Sequence, residues 1–134
     1  MPGYTLDTKV GRPYGETVEA VRSALAEQGF GVLTEIDLRA TLAAKLGVDV
    51  PEQVILGACR PPLAYRALQA DPSIAAMLPC NVVVRALDAT SCAVEAFDPE
   101  VMLGLNDAPE LRSVAQEAKE RLEAVLAALN EEKA

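Results

Sequence analysis

Two short apolar runs constrain this chain more than any other feature. Val54-Ile55-Leu56-Gly57-Ala58-Cys59 and Cys80-Asn81-Val82-Val83-Val84 are apolar, partly β-branched and only five or six residues long. Runs of that kind read as interior strands, the first of them covered on both faces. Between them lies one short helix, from about Pro61 to Ala70, with proline in its first turn and Asp71-Pro72 as its stop. Antiparallel pairing of the two strands returns the chain so that Cys80 starts beside the end at Cys59. Parallel pairing, with the helix as crossover, leaves Cys80 at the far end, about 20 Å away for a six-residue strand. The antiparallel arrangement is the expected one, because the rest of the sheet is mixed.

The remaining segments fit around this pair. Residues 4–10 alternate as a half-buried strand, and Val18, Val21 and Leu25 sit at helical spacing within 16–28, before Gly29 as a left-handed cap. Phe30 to Ile36 reads as a second strand. Asp37 then caps a short helix that presents Leu38, Leu42 and Leu46 as one stripe and closes at Gly47. Asp88-Ala89 turns the second interior strand into a hairpin with 90–97. The last helix, 107–130, opens on a capping-box pattern, Asp107 with Glu110. It carries Leu111, Val114, Ala118, Leu122, Val125 and Leu129 as its apolar stripe. The order βαβαβαββα predicts a single α+β domain over 1–134: one mixed, largely antiparallel sheet with helices packed on one side. At 134 residues the chain has room for one domain and no second.

Composition narrows the chemistry. The chain has no histidine, which removes Ser-His-Asp and Cys-His catalysis and His-ligated zinc, and it has no tryptophan. Only two Phe and three Tyr are present, too few for a base-stacking platform, while 23 alanines supply a small-residue core. A net charge of −8 opposes both nucleic acid and an anionic membrane surface. No apolar run approaches the roughly 18–20 residues of a membrane span, and the first residues lack signal-peptide order. A cytoplasmic protein is expected. Three cysteines, an odd number, do not make a disulfide framework.

Few side chains remain to carry chemistry. Cys59 ends one strand just before a helix start, where free N–H groups and the neighbouring Arg60 favour a thiolate; the plainer reading is a small buried hydrophobe. Cys80 opens the next strand, after Pro79 and before the amide of Asn81. Cys92 reads as core. Glu35 and Asp37 share a strand face by the period of two. They can hold a cation or act in acid–base work, or simply be the solvated side of an edge strand and a helix cap. Asp98-Pro99-Glu100 reads first as a turn with a helix start. There is no CxxC pair, no Gly-x-Gly-x-x-Gly and no phosphate loop.

Three blocks in order resemble the prokaryotic domain-of-unknown-function 302 family. They are Gly29-Phe30-Gly31-Val32-Leu33-Thr34-Glu35-Ile36-Asp37, then Ile55-Leu56-Gly57-Ala58-Cys59 with Pro61 and Ala64, then Leu78-Pro79-Cys80-Asn81-Val82-Val83-Val84. Phe97-Asp98-Pro99 with Met102 fits the same pattern, and the likeness runs from about Thr5 to Leu126. The chain departs from it at Arg60, where an Asn is expected between Cys and Pro. The resemblance implies a small α+β domain that forms a homodimer, and it supplies no activity or cofactor. It maps recurring positions onto Glu35, Cys59, Cys80 and Asn81.

The expected function is that of a binding or accessory domain with a small polar pocket lined by Glu35, Cys59, Cys80 and Asn81. Its ligand is a small molecule or a thiophilic metal, the metal held by Cys59, Cys80 and Glu35. The alternative is a thiol enzyme or sulfur carrier in which Cys59 attacks and Cys80 resolves. A third reading is a purely structural homodimeric partner for another protein.

Overall fold

The computed structural model describes residues 3–131. Five strands form one sheet: β1 (Thr5–Val10), β2 (Gly31–Asp37), β3 (Gln53–Cys59), β4 (Cys80–Asp88) and β5 (Ser91–Phe97), in spatial order β1-β5-β4-β3-β2. All four pairings are antiparallel, so the expected mixed sheet is in fact purely antiparallel among the described residues. The helices are α1 (Tyr14–Glu27), α2 (Leu38–Leu46), α3 (Pro61–Ala70) and α4 (Pro109–Glu131), with 3-10 segments at Pro72–Met77 and Pro99–Gly104. The α+β class and the element order are those read from the sequence.

Helices α1 and α4 cover one face of the sheet. Val54, Leu56, Val82, Val84 and Val94 point into that layer and meet Val21, Leu25, Leu122 and Leu129, all buried. Leu122 is 1% exposed, in the middle of the predicted stripe. The N-terminal half of α4 builds a second cluster with Leu63, Ala67, Ile74 and Met102, so this one helix ties the sheet layer to the α3 end.

Among the described residues the opposite face carries no helix layer, which corrects the reading of 54–59 as covered on both sides. Ile55 and Val83 are only half-buried there. The apolar run was misleading because Gly57 and Cys59 on the open side are small or weakly polar. They resemble covered positions by composition alone. Cross-strand register sorts this open face into rows. Thr5, Phe97, Asn81, Gly57 and Thr34 form the first; Asp7, Glu95, Val83, Ile55 and Ile36 the second; Lys9, Ala93, Arg85 and Gln53 the third.

Two local readings change. Helix α2 has its predicted caps: the Asp37 carboxylate accepts from the Ala40 N–H at 2.9 Å, and Gly47 takes φ +69°. Yet none of its residues is buried and Leu46 is 70% exposed, because α1 and α4 already occupy the layer where the leucine stripe was expected to pack. At the start of α4 the side chain over the helix entry is Asn106, not Asp107. Asn106 accepts from the Ala108 N–H at 3.1 Å and donates to Asp71 at 3.0 Å, while Asp107 faces Arg112. Asp98 does turn the chain as read, accepting from the Glu100 N–H at 3.0 Å.

Candidate functional site

The structure brings Cys59 and Cys80 together. Ala58 is the register partner of Cys80, so the two cysteines are offset by one residue on hydrogen-bonded strands, with alpha carbons within about 8 Å. Both border a cavity of about 40 Å³ closed by Phe30, Leu63, Ile74 and Met102, large enough for about one water and lined almost wholly by apolar groups. Burial pushes the Cys80 thiol up to about 11, and the negative charge of a Cys59 thiolate adds to the shift. Alternation sends the Cys80 side chain to the helix-covered face with Ala58, and Cys59 to the opposite one. Cys92 is core, as read: it is fully buried and its thiol donates to the Arg12 carbonyl at 3.5 Å.

The other two predicted residues lie elsewhere. Glu35, paired in register with Leu56, reaches back to an ion pair with Arg22 of α1. It lines a separate cleft of about 210 Å³ with Tyr14, Glu19 and Asp37. Burial raises the Tyr14 phenol pKa, and the charges of Asp37 and Glu52 add to it. Asn81 points away from Cys80, onto the open face. No group of three or more Cys, Asp or Glu side chains placed to hold a metal ion occurs among the described residues.

Sequence reasoning missed the largest feature beside Asn81. A groove of about 520 Å³ runs over the first two rows of the open face, walled by Tyr4 on one side and by Met77, Leu78 and Pro79 on the other. Val83 and Phe97 form its apolar floor, and Asn81, Thr5 and Glu95 supply its polar groups. The Leu78–Pro79 peptide is cis. Glu95 Oε1 accepts from Arg85 Nη1 at 2.6 Å, a charge-assisted bond lying diagonally across β4 and β5. Two polar atoms nearby, Thr5 Oγ1 and Asp7 Oδ1, are sealed from solvent without a hydrogen-bond partner. The signal in the sequence was the alternation of β1 and β5, which sets Asp7 opposite Glu95.

Arg60 stands where the resemblance implies an Asn. Its Nε donates to the Gln28 carbonyl at the end of α1 (3.1 Å), its guanidinium lies over Gly29, and Nη1 faces Glu117 of α4 at 3.5 Å. Gly29 has φ +82°, and a Cβ there would sit 3.0 Å from Arg60 Nε. Arg60 thus joins the ends of α1 and α3 to α4. Its role in this chain is to hold helices together.

A single antiparallel sheet backed on one face by helices, with a groove on the other, defines a small α+β domain. The model of Domain of unknown function DUF302 matches residues 6–129, nearly the whole chain, and the chain belongs to that family. A crystal structure of uncharacterized conserved protein DUF302 from Bacillus stearothermophilus is similar throughout, with a TM-score of 0.86 at 29% identity. The match covers 95% of this chain and 98% of that one. No curated protein matches. No helix among the described residues is long and apolar enough to cross a membrane.

Proposed function

We propose that this chain is a cytoplasmic binding or accessory domain that works as a homodimer and holds a small ligand in the open-face groove. The observation that carries the reading is the groove itself. Its volume of about 520 Å³ falls within the roughly 300–1,000 Å³ of small-molecule sites, and it combines apolar walls with a few polar groups. The cavity at Cys59 and Cys80 is an order of magnitude smaller, so of the predicted binding residues Asn81 is the one beside a seat of useful size. Benzyl alcohol, a neutral probe, tests this by titration against methyl NMR spectra. At about 1 mM, the weak end of specific binding, it is expected to shift the Val83 and Met77 methyls, and Val83→Trp is expected to abolish the shifts by filling the groove. No shift, or shifts indifferent to Val83→Trp, would refute the reading.

The homodimer is supported by where the exposed hydrophobics lie. Of the nine large ones among the described residues, Leu33, Ile36 and Leu46 fall in the β2–α2 segment and Val48 just after it. A nine-residue helix with no buried residue, next to an edge strand, leaves Leu46 largely uncovered within the chain and Leu38 and Leu42 only half-buried. The same segment carries Arg39 and Lys45 beside Glu35, Asp37 and Asp49, a self-complementary set for two-fold packing. Light scattering is expected to give twice 14.2 kDa, and Leu46→Glu to give the monomer mass. A monomeric wild type overturns this part.

One observation favours the thiol alternative, the adjacency of Cys59 and Cys80 on paired strands. The raised Cys80 pKa opposes a role for Cys80 as an attacking or resolving thiolate near neutral pH. Free cysteines throughout suit a reducing compartment.

A further inference from the structure

We infer that the groove selects a primary or secondary ammonium carrying a compact apolar group, an inference that rests on the groove being the binding seat. Among the groove's lining residues Glu95 is the one carboxylate, and no Lys or Arg lines it. Beneath its edge, Asp7 is the register partner of Glu95, so two carboxylates share one row of the sheet face. Arg85, whose guanidinium reaches that row, is committed to Glu95 Oε1 at 2.6 Å, and Asp7 Oδ1 has no hydrogen-bond partner. Lys9 lies one row further on and is exposed, away from the groove.

One negative charge in the row beneath the groove's edge, that of Asp7, therefore lacks a hydrogen-bonded counter-charge. In the reduced dielectric at a protein surface a cationic head gains there and an anionic one loses. Hydrogen bonding points the same way. The second oxygen of Glu95 and the side-chain carbonyl of Asn81 are acceptors, which an N–H-bearing cation can satisfy and a quaternary ammonium cannot. The rest of the wall is largely apolar, and the rings of Tyr4 and Phe97 line it, groups able to meet a cation or its apolar substituent.

Benzylamine, benzyl alcohol and benzoate share one ring and differ in the head group, which separates this inference from the reading beneath it. Titrated below pH 8 into the full chain and followed at the Val83 and Met77 methyls, benzylamine is expected to bind at least about tenfold more tightly than benzyl alcohol, and benzoate more weakly than either. Glu95→Gln is expected to erase the benzylamine advantage, read as the ratio of benzylamine to benzyl alcohol affinity within that variant. Asp7→Asn, which leaves the Arg85–Glu95 pair intact, is expected to reduce that advantage several-fold and guards against a folding defect in the first variant. Benzyl alcohol binding as tightly as benzylamine overturns the ammonium preference and leaves the groove standing. Equal binding of benzoate, or an advantage untouched by both substitutions, overturns it too. Absence of all three probes from the groove overturns both readings.

Discussion

Gly57 allows a direct test of the open face. It sits in the first row between Thr34 on β2 and Asn81 on β4. A Cβ there would lie 2.1 Å from Thr34 Oγ1 and 2.7 Å from Pro79 Cγ, both closer than non-bonded atoms allow. Gly57→Ala must therefore push away a side chain on each flank. Overpacking of this kind costs about 1–3 kcal/mol, and two clashes place the expected value near 2 kcal/mol or above. With an unfolding entropy of about 2.1 cal/mol/K per residue, 134 residues give about 0.28 kcal/mol/K, so 2 kcal/mol lowers Tm by about 7 °C. Thr34 is exposed on an edge strand, and Thr34→Ala alone is expected to cost no more than about 1 kcal/mol. It removes the hydroxyl responsible for the shorter contact but leaves the Pro79 contact. The double variant should then recover about half of the Gly57→Ala loss, a coupling of about 1 kcal/mol in a double-mutant cycle read by urea denaturation. Strict additivity would show that Thr34 does not lie over Gly57, and a neutral Gly57→Ala would remove the Pro79 wall of the groove as drawn.

Three further outcomes follow from other parts of the molecule. Leu122→Asp places a carboxylate at a position 1% exposed; several kcal/mol against a total stability of about 5–15 kcal/mol predicts loss of the cooperative thermal transition, and an unchanged melt would refute the stripe. Arg60→Ala removes a charged hydrogen bond to the Gln28 carbonyl and the Glu117 contact, with an expected cost of about 1.5–3 kcal/mol in urea; a change below about 0.5 kcal/mol would show the guanidinium to be idle. Cys80, at about 11, is expected to be about 0.1% thiolate at pH 8, against about a quarter for an ordinary thiol near 8.5, so mapped iodoacetamide labelling should rise about tenfold per pH unit towards pH 11. Because the folded pKa is the higher one, the folded state holds this proton longer than the unfolded chain. The stability it confers is complete below about pH 8.5 and is lost between there and pH 11. Fast labelling at pH 8 would contradict the burial.

The fold was legible where one period or one punctuating residue decides an element. Helix α3 begins at Pro61 and ends at Ala70 as read, since proline fixes its first turn and Asp71-Pro72 its last. Gly29 and Gly47 take the left-handed conformations assigned to them. Helix α2 shows the boundary of that method: its caps were readable because capping is local, whereas its burial depends on what else claims the helix-covered face. Asn106 displaced Asp107 for a related reason. The Asn106 side chain is also held by Asp71, 35 residues earlier, a tertiary bond that no capping pattern contains.

The candidate site divides along the same line. Antiparallel pairing of β3 and β4 is the arrangement expected from the sequence, and it does set Cys80 beside Ala58. Joining Cys80 and Asn81 in one pocket, however, conflicts with the strand geometry that brings the cysteines together. Neighbouring residues of a strand face opposite sides of the sheet, so a contiguous Cys-Asn motif serves two different environments. Cys80 faces the packed helices, where burial holds it as a thiol; Asn81 faces the groove. Glu35 obeys the same alternation: it shares the helix-covered side with Leu56 and Asp37, and there it meets Arg22 rather than a cysteine. Asp7 and Glu95 are 88 residues apart in sequence, yet each falls on the alternation of its strand that faces away from the helices. Only the β1–β5 register, with Asp7 opposite Glu95, turns two unremarkable carboxylates into one negative row beneath a groove.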